Sequence, residues 1–513
     1  MISAHSVTTV RAAEAAAMAQ LPDGELMRRA AHGLAEVAAA RLEDREGTTA
    51  VALVGSGDNG GDALYAIALL SEAGFACAAV LVPEGGREAV HPGALEEAER
   101  QGVEVVVADD PGPVAVRVAT AENPVTADDS VTALVAEADL VLDGIVGIGG
   151  HPGLRQRASA LVDAIAEEAW VIAVDLASGL DPAGEVAADD TVWADETVTF
   201  GTPKPVHLLP AGEPASGLLT VIDIGVDFNA RRAAVERLVW DDVAALWPVP
   251  GPTDDKYSRG VLGVVAGGEG YAGAAVLCVI AAVEAGAGMV RYVGTATPTG
   301  LVRAAAPEVV MGDGHVQAWV IGPGFDPDAE GEQARAQLRV AQQALASDLP
   351  VVVDAGALSL LDGARTAVTL LTPHAGEAAT LLTRLGASEV TRDDVEARPY
   401  EHARRLAALS NATVLLKGST TLVVSPDERA ARSQADATPW LATAGSGDVL
   451  AGLVGTLLAS GLSAVDAASL GALVHGVAGS RVSGGGPVRA LALAHGIRPT
   501  VRHLLVRAGS TGH

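Results

Sequence analysis

The stretch Leu441-Ala442-Thr443-Ala444-Gly445-Ser446-Gly447-Asp448-Val449-Leu450-Ala451-Gly452 sets a glycine turn and one carboxylate ahead of an apolar helical stripe. Leu450, Leu453, Val454, Leu457 and Leu458 recur at the spacing of one buried helix face, so a helix is predicted to begin near Asp448. Backbone amides at such a start have no partner inside the helix and attract anions, and glycine lets a phosphate come close to the main chain. A carboxylate repels a phosphate. Its presence here makes sense if Asp448 serves as general base for a hydroxyl that is being phosphorylated. The plainer alternative for Asp448 is a helix N-cap.

Upstream of this stretch, short apolar runs at residues 261–266, 289–293, 319–321, 351–354 and 414–416 alternate with helical segments such as residues 272–285, which predicts an α/β domain. Several runs end in glycine or polar residues: Ile321-Gly322-Pro323-Gly324, Thr372-Pro373-His374-Ala375-Gly376-Glu377 and Leu416-Lys417-Gly418-Ser419-Thr420-Thr421. These ends should line one edge of a sheet. Gly267-Gly268 and Tyr271-Ala272-Gly273-Ala274 are small enough at a helix start to admit a flat ring near the backbone. Lys417 can offset nucleotide phosphates while Ser419 to Thr421 supply donors. Taken singly, His374 reads equally as a structural histidine and Lys417 as a solvated surface lysine.

The first half alternates in the same way. Residues 50–54, a helix at 62–73 closed by Gly74, and residues 77–82 form a βαβ unit. Further strands are predicted at residues 103–108, 140–143, 170–175, 197–200 and 218–222, with the continuous apolar character of a mainly parallel sheet covered on both faces. Residues 9–42 read as helices carrying Leu26, Met27, Leu34 and Val37 on one side, either a cover for the sheet or a dimer contact, and a homo-oligomer is expected. A charged helical piece at residues 229–239 and the run Pro248-Val249-Pro250-Gly251-Pro252 break the alternation. The boundary is set near Val226, giving domains 1–225 and 226–513.

Composition narrows the function. A 513-residue chain with 49% hydrophobic and 19% charged residues can bury two cores. Its formal charge of −30 argues against nucleic acid or acidic lipid as a partner, so an anionic ligand needs local relief. Two distant cysteines, Cys77 and Cys278, indicate neither a disulfide framework nor a thiolate metal cluster, and a reducing cytoplasm fits. The first residues lack the pattern of a signal peptide, and the uncharged run at residues 449–465 falls short of a membrane span, so neither export nor a membrane is expected. Aromatic content of 3% beside 59 glycines predicts packing through small side chains.

Gly55-Ser56-Gly57-Asp58-Asn59-Gly60-Gly61-Asp62 joins the first strand to its helix, where a doubly wound sheet binds nucleotides. Asp143-Gly144-Ile145-Val146-Gly147-Ile148-Gly149-Gly150-His151-Pro152-Gly153 and Asp175-Leu176-Ala177-Ser178-Gly179 also set a carboxylate at a strand end ahead of glycine turns. Three such ends should converge on one crevice. Oxygen ligands from Asn59, Asp143 and Ser178 can hold a hard cation, with Asp175 left for proton transfer. Read singly, these residues are equally turn formers and helix caps.

Together with Lys204 in Phe200-Gly201-Thr202-Pro203-Lys204-Pro205, these motifs over about residues 8–225 resemble the NAD(P)H-hydrate epimerases. The resemblance implies a Rossmann-like doubly wound domain in which Asn59, Asp143 and Ser178 bind potassium. It further implies that Asp175 acts on the hydrated nicotinamide ring and that Asp58 to Asp62 and Gly147 to Gly153 cradle the substrate. Relatives of that family usually carry Asn-Asn-Gly-Gly-Asp-Gly and Val-Asp-x-Pro-Ser-Gly. Here Asp58 adds negative charge beside a phosphate-bearing substrate, Ala63 follows Asp62, and Ala177 precedes Ser178.

Over about residues 240–508 the ordered motifs resemble the ADP-dependent NAD(P)H-hydrate dehydratases, a branch of the ribokinase-like α/β fold. By that resemblance Ala274, Gly324, His374 and Asp448 contact hydrated NADH or NADPH. Lys417, Gly418, Ser419, Thr420, Thr421 and Gly447 hold the adenine nucleotide, with ADP as phosphoryl donor assisted by magnesium. Gly356 in Asp354-Ala355-Gly356-Ala357-Leu358 and Ala375 after the histidine depart from the usual pattern, which weakens the role of Asp354. The whole chain thus resembles a bifunctional repair enzyme. Its first domain would interconvert the R and S hydrates, and its second would dehydrate the S form, releasing AMP and phosphate. Two rival readings are a small-alcohol kinase, betrayed by a stable phosphorylated product, and a non-enzymatic nucleotide sensor, in which bound hydrate persists with ADP present.

Overall fold

The computed structural model describes residues 1–83, 86–108, 127–386, 388–427 and 429–510. It divides into two compact units, Ser3–Ala234 and Val235–His513, the latter including Met1–Ile2.

In the first unit the strands Glu104–Val107, Ala76–Leu81, Thr49–Val54, Leu140–Gly144, Trp170–Val174, Glu196–Phe200 and Leu218–Ile222 lie side by side in that order, every neighbouring pair parallel. Thr49–Val54 comes first in the chain yet lies inside the sheet. The chain therefore winds outward to one side through Ala76–Leu81 and then to the other from Leu140–Gly144. The switch point between these directions is where such sheets open a crevice at their carboxyl ends. The five inner strands are buried along most of their length, as continuous Val, Leu, Ile and Ala demand of a parallel sheet, while the edge strands Glu104–Val107 and Leu218–Ile222 are partly exposed. Helices Glu25–Asp44 and Asp58–Glu72 pack Leu34, Ala38, Leu64 and Ile67 onto one face.

The expected helix at residues 62–73 begins earlier, at Asp58, so the residues read as a loop form its first turn. Gly60 makes this possible: a Cβ there would stand 2.2 Å from the Gly55 carbonyl oxygen. The glycines serve close approach of backbone to backbone as much as ligand access.

In the second unit the order is Val235–Arg237, Ala431–Gln434, Thr421–Val424, Thr413–Leu416, Thr369–Leu371, Val351–Val353, Ala318–Ile321, Val261–Val265, Met289–Val293 and Val310–Met311. The strands are parallel except where Thr421–Val424 pairs antiparallel with both its neighbours. A second switch point falls between Val261–Val265 and Ala318–Ile321. Helix Ser446–Ala459 is buried along most of its length and notched by two glycines. A Cβ at Gly452 would stand 2.1 Å from the Cys278 carbonyl oxygen, and one at Gly455 would stand 2.1 Å from Val320. Small residues therefore let this helix lie against both helix Ala272–Glu284 and the sheet.

The helical piece expected at residues 229–239 is not formed. Phe228 to Arg231 make a turn, and Val235–Arg237 is a strand whose Val235 and Glu236 pair with Ala431 and Arg432. Burial of Val235 and Leu238 and a Glu236–Arg432 ion pair at 3.3 Å favour the strand over local helix propensity. Among the described residues no helix is long and apolar enough to cross a membrane, and both cysteines are free.

Candidate active sites

The crevice of the first unit gathers the three predicted strand ends. Asp143 is wholly buried; the Ser178 amide donates to one carboxylate oxygen at 2.8 Å and the Ser178 hydroxyl to the other at 2.6 Å. Burial pushes Asp143 up to about 6 despite these bonds and one from the Ile145 amide. Asn59 lies against the next loop, since a Cβ on Gly147 would stand 3.1 Å from its side chain. Gly153 donates to Gly179 at 2.8 Å, which ties the Gly147 to Gly153 loop to the turn that carries Ser178. Asn59, Gly60, Gly61 and Asp62 are buried, while Asp58 is exposed.

Asp175 follows strand Trp170–Val174 with a φ of 65°, a left-handed conformation that costs a non-glycine residue free energy and is held by its surroundings. Lys204, 1% exposed, donates to Asp175 Oδ1 and, at 2.8 Å, to Thr199; Thr199 in turn donates to the same Asp175 oxygen at 2.9 Å. Burial alone would raise this carboxyl. The charge and hydrogen bond of Lys204, with the Thr199 hydroxyl, outweigh it and hold Asp175 below its ordinary value. His207 accepts from the Lys204 amide at 3.1 Å through Nδ1, and burial pushes it down to about 3, so the ring is neutral and stays so.

The helix Val7–Met18 brings residues that the sequence did not mark. Arg11 donates to the Ile148 carbonyl at 3.3 Å, and Glu14 senses Lys204, Asp175 and Asp58. On the polar face of a helix their i, i+3 spacing looks like ordinary solvation.

In the second unit the predicted strand ends share one carboxyl edge. Lys417 bridges in parallel register to His374. Its ammonium donates to Asp354 Oδ1 at 2.9 Å and lies 3.6 Å from Glu377. Burial works against the charge on Lys417, yet Asp354 and Glu377 raise it above its ordinary value. A Cβ on Gly447 would stand 3.6 Å from that ammonium, so the helix start lies beside Lys417. Burial, then the charge of Asp354, push Asp448 up to about 7, with Lys417 pulling down. Asp354 also accepts from Thr372 at 2.8 Å.

The helix begins at Ser446, two residues before the expected start near Asp448, with Gly445 as a left-handed cap, so Asp448 sits in the first turn. Ala274 and Gly324 meet closely: a Cβ on Gly324 would stand 2.5 Å from that of Ala274. His374 caps helix Ala375–Arg384 through Nδ1, accepting from Gly376 and Glu377, while Glu377 accepts from the His374 amide. The spacing of His374 and Glu377 is that of a capping box, which could have flagged Glu377 from sequence. Gly418, Ser419 and Thr420 turn the chain into the antiparallel strand that Thr421 opens by pairing with Gln434. Buried His475 bonds through Nε2 to the Ser446 carbonyl at 2.9 Å; burial pushes it down to about 4, so it is a neutral donor. Nothing in its local sequence separates it from a core histidine.

Two family models match the chain: the one described as YjeF-related protein N-terminus over residues 23–206 and the one described as NAD(P)H-hydrate dehydratase over residues 262–493. The bifunctional NAD(P)H-hydrate repair enzyme Nnr of Mycobacterium tuberculosis strain H37Rv is 43% identical over 481 residues, covering 91% of each chain. Its namesake in Mycobacterium leprae is 42% identical over 487 residues, covering 92% of each. A crystal structure of ADP/ATP-dependent NAD(P)H-hydrate dehydratase from Bacillus subtilis, co-crystallised with ATP and Mg2+, is 22% identical, with a TM-score of 0.47, and covers 53% of this chain and 99% of that one. On the strength of the near full-length identity, this chain belongs to the family of bifunctional NAD(P)H-hydrate repair enzymes.

Proposed function

We propose that residues 1–225 invert the hydrated carbon of R and S NAD(P)H hydrates and that residues 226–513 dehydrate the S form, consuming ADP and releasing AMP and phosphate. The observation that carries this reading is Asp448, an acid titrating near neutrality in the first turn of a helix whose Gly447 faces Lys417.

For dehydration, Asp448 as carboxylate takes the proton of the ring hydroxyl, whose oxygen attacks the terminal phosphorus of ADP as AMP departs. Lys417, Gly418 to Thr421 and the amide of Gly447 bear the developing phosphate charge. The new phosphate ester then leaves with its bonding electrons while the neighbouring ring carbon gives up a proton, restoring the double bond. Ala274, Gly324 and His374 border the ring. Magnesium would accompany the nucleotide phosphates; no group of three or more His, Cys, Asp or Glu among the described residues forms a dedicated cage.

For epimerisation, Asp175, kept ionised by Lys204, is the proton acceptor. Asp58 to Asp62 and Gly147 to Gly153 receive the substrate. Potassium fits Asn59, Asp143 and Ser178, because Asp143 is a wholly buried carboxyl with no cationic side chain bonded to it among the described residues, and a bound cation would keep it ionised. Its chemistry would be to fix these loops and offset substrate phosphates.

Purified protein mixed with prepared S hydrate should restore the reduced-nicotinamide absorbance when ADP is added. Recovery of the same rate with no nucleotide present would overturn the phosphoryl-transfer route.

A further inference from the structure

The amino-terminal crevice holds more acid than the proposed reaction has so far used. Asp62, one turn along the helix Asp58–Glu72, is 9% exposed, and its Oδ1 meets no hydrogen-bond partner among the described residues. The neighbouring Asn59 Nδ2, on the same helix face and 8% exposed, is likewise unpartnered. A buried polar atom left without a partner costs about 1–3 kcal/mol, so such a pair persists where a ligand completes it.

The charged groups around Asp62 come from every side of the crevice. They are Asp58 on its own helix, Glu14 on Val7–Met18, Asp175 at the end of Trp170–Val174 and Lys204 beyond Glu196–Phe200. His207 lies behind Lys204, and His91 lies against Gly61. One lysine cannot compensate this many carboxylates, and its direct hydrogen bond goes to Asp175. Burial, then Asp175, Asp58 and Glu14, drive the Asp62 carboxyl well above its ordinary value. Two carboxyl groups in one crevice are thus pushed in opposite directions, Asp175 down and Asp62 up, the pattern that assigns base and acid.

Resting on the epimerase reading, we propose that Asp62 is the proton donor of this crevice, working against Asp175 as proton acceptor. Water added across the enamine double bond of a dihydropyridine puts the hydroxyl on the carbon next to the ring nitrogen, a hemiaminal. Asp175 takes the hydroxyl proton. The carbon–nitrogen bond breaks with its electron pair going to nitrogen, which takes the proton of Asp62, and the carbon becomes an aldehyde. Rotation about the adjoining carbon–carbon bond presents the other face. The nitrogen adds back and returns its proton to Asp62, while the oxygen recovers the proton held by Asp175. Composition and oxidation state are unchanged.

The test uses the full chain and purified R hydrate, following R-to-S conversion by chromatography. Wild-type kcat should fall on the alkaline side as Asp62 loses its proton. Asp62→Asn should lower kcat roughly 100-fold or more with a small change in KM and abolish that alkaline limb, and Asp62→Glu should restore a pH-dependent rate. Dehydration of S hydrate by the same preparations and their unfolding midpoints report whether each variant folds. If Asp62→Asn does not fold, the wild-type profile alone decides, because a flat alkaline limb overturns the assignment. An unchanged kcat in folded Asp62→Asn also overturns it while leaving the epimerase reading intact. A wild-type chain that never interconverts the hydrates overturns both.

Discussion

Asp175 and Asp448 both stand where a parallel strand sheet opens at its carboxyl edge, yet their surroundings differ in one respect. Lys204 donates directly to Asp175 and keeps it ionised, whereas the lysine nearest Asp448 is committed elsewhere, to Asp354 and Glu377. Burial and the charge of Asp354 therefore prevail over Lys417 and push Asp448 up to about 7, while Asp175 sits below the ordinary carboxylate range. On the proposed mechanism the first site has its base prepared in advance. The second has a base whose charge depends on what happens to Lys417: a nucleotide phosphate that draws that ammonium away from Asp354 changes the field at Asp448 in the same event.

The sharpest way to break this contrast is to remove each acid in turn. Asp448→Asn should cut dehydration by roughly 100-fold or more and leave epimerisation unchanged, and Asp175→Asn should do the reverse, both measured on separated hydrates. Parallel loss of both activities in a folded variant would deny two independent sites.

Lys204→Met should act next most strongly. It strips a buried carboxylate of its cationic partner, leaving the Thr199 hydroxyl alone, at a cost of about 3–5 kcal/mol to the first unit, and burial should then raise the Asp175 carboxyl. Denaturant melts should show the Ser3–Ala234 unit unfolding earlier while the second transition stays put. Lys417→Met should be milder for stability, because the Lys417 side chain is 22% exposed against 1% for Lys204.

The pH dependence separates the sites as well. A base with its pKa at about 7 is protonated below that value, so dehydration kcat/KM should fall tenfold per unit as pH drops from about 7, and epimerisation should not share this limb. Stability moves the opposite way. The folded-state pKa of Asp448 is raised, so the fold binds the proton more tightly than the unfolded chain does. The resulting stability is present below pH 4 and lost as pH rises through about 7. Asp448→Asn should remove that loss, giving a second unit more resistant to heat at pH 8 than the wild type.

Arg11→Gln should have the smallest effect. Its exposed bond to Ile148 is worth less than about 1 kcal/mol, so the KM for hydrate should rise by no more than a few-fold, and a larger change would mean that Arg11 meets the substrate directly.

Much of this contrast is legible in the chain before any fold is known. The glycine loops at Gly55 to Gly61 and Gly445 to Gly447 stand between an apolar run and a helical stripe, and a carboxylate in such a place is conspicuous because charge there needs a reason. The strands were readable because a sheet covered on both faces leaves no polar alternation to confuse them. Residues 229–239 misled because short charged segments carry little periodicity, and their strand exists only by pairing with Ala431 and Arg432, far along the chain. Glu14 and Arg11 were invisible for a related reason: a helix face that turns toward a polar crevice has the same composition as one that turns toward water. That burial raises Asp62 while Lys204 bonds to Asp175 and lowers it depends on which groups the fold brings together, which local sequence does not carry.

The two notches at Gly452 and Gly455 carry a final consequence. They seat the helix beneath Asp448 directly on a neighbouring backbone and on Val320, so any added methyl would lift the whole rod out of place. Laboratory evolution toward a different phosphoryl donor therefore has little freedom along that helix. Useful variation should concentrate at Gly418 and Ser419, which are exposed, rather than at Thr420, which is 1% exposed.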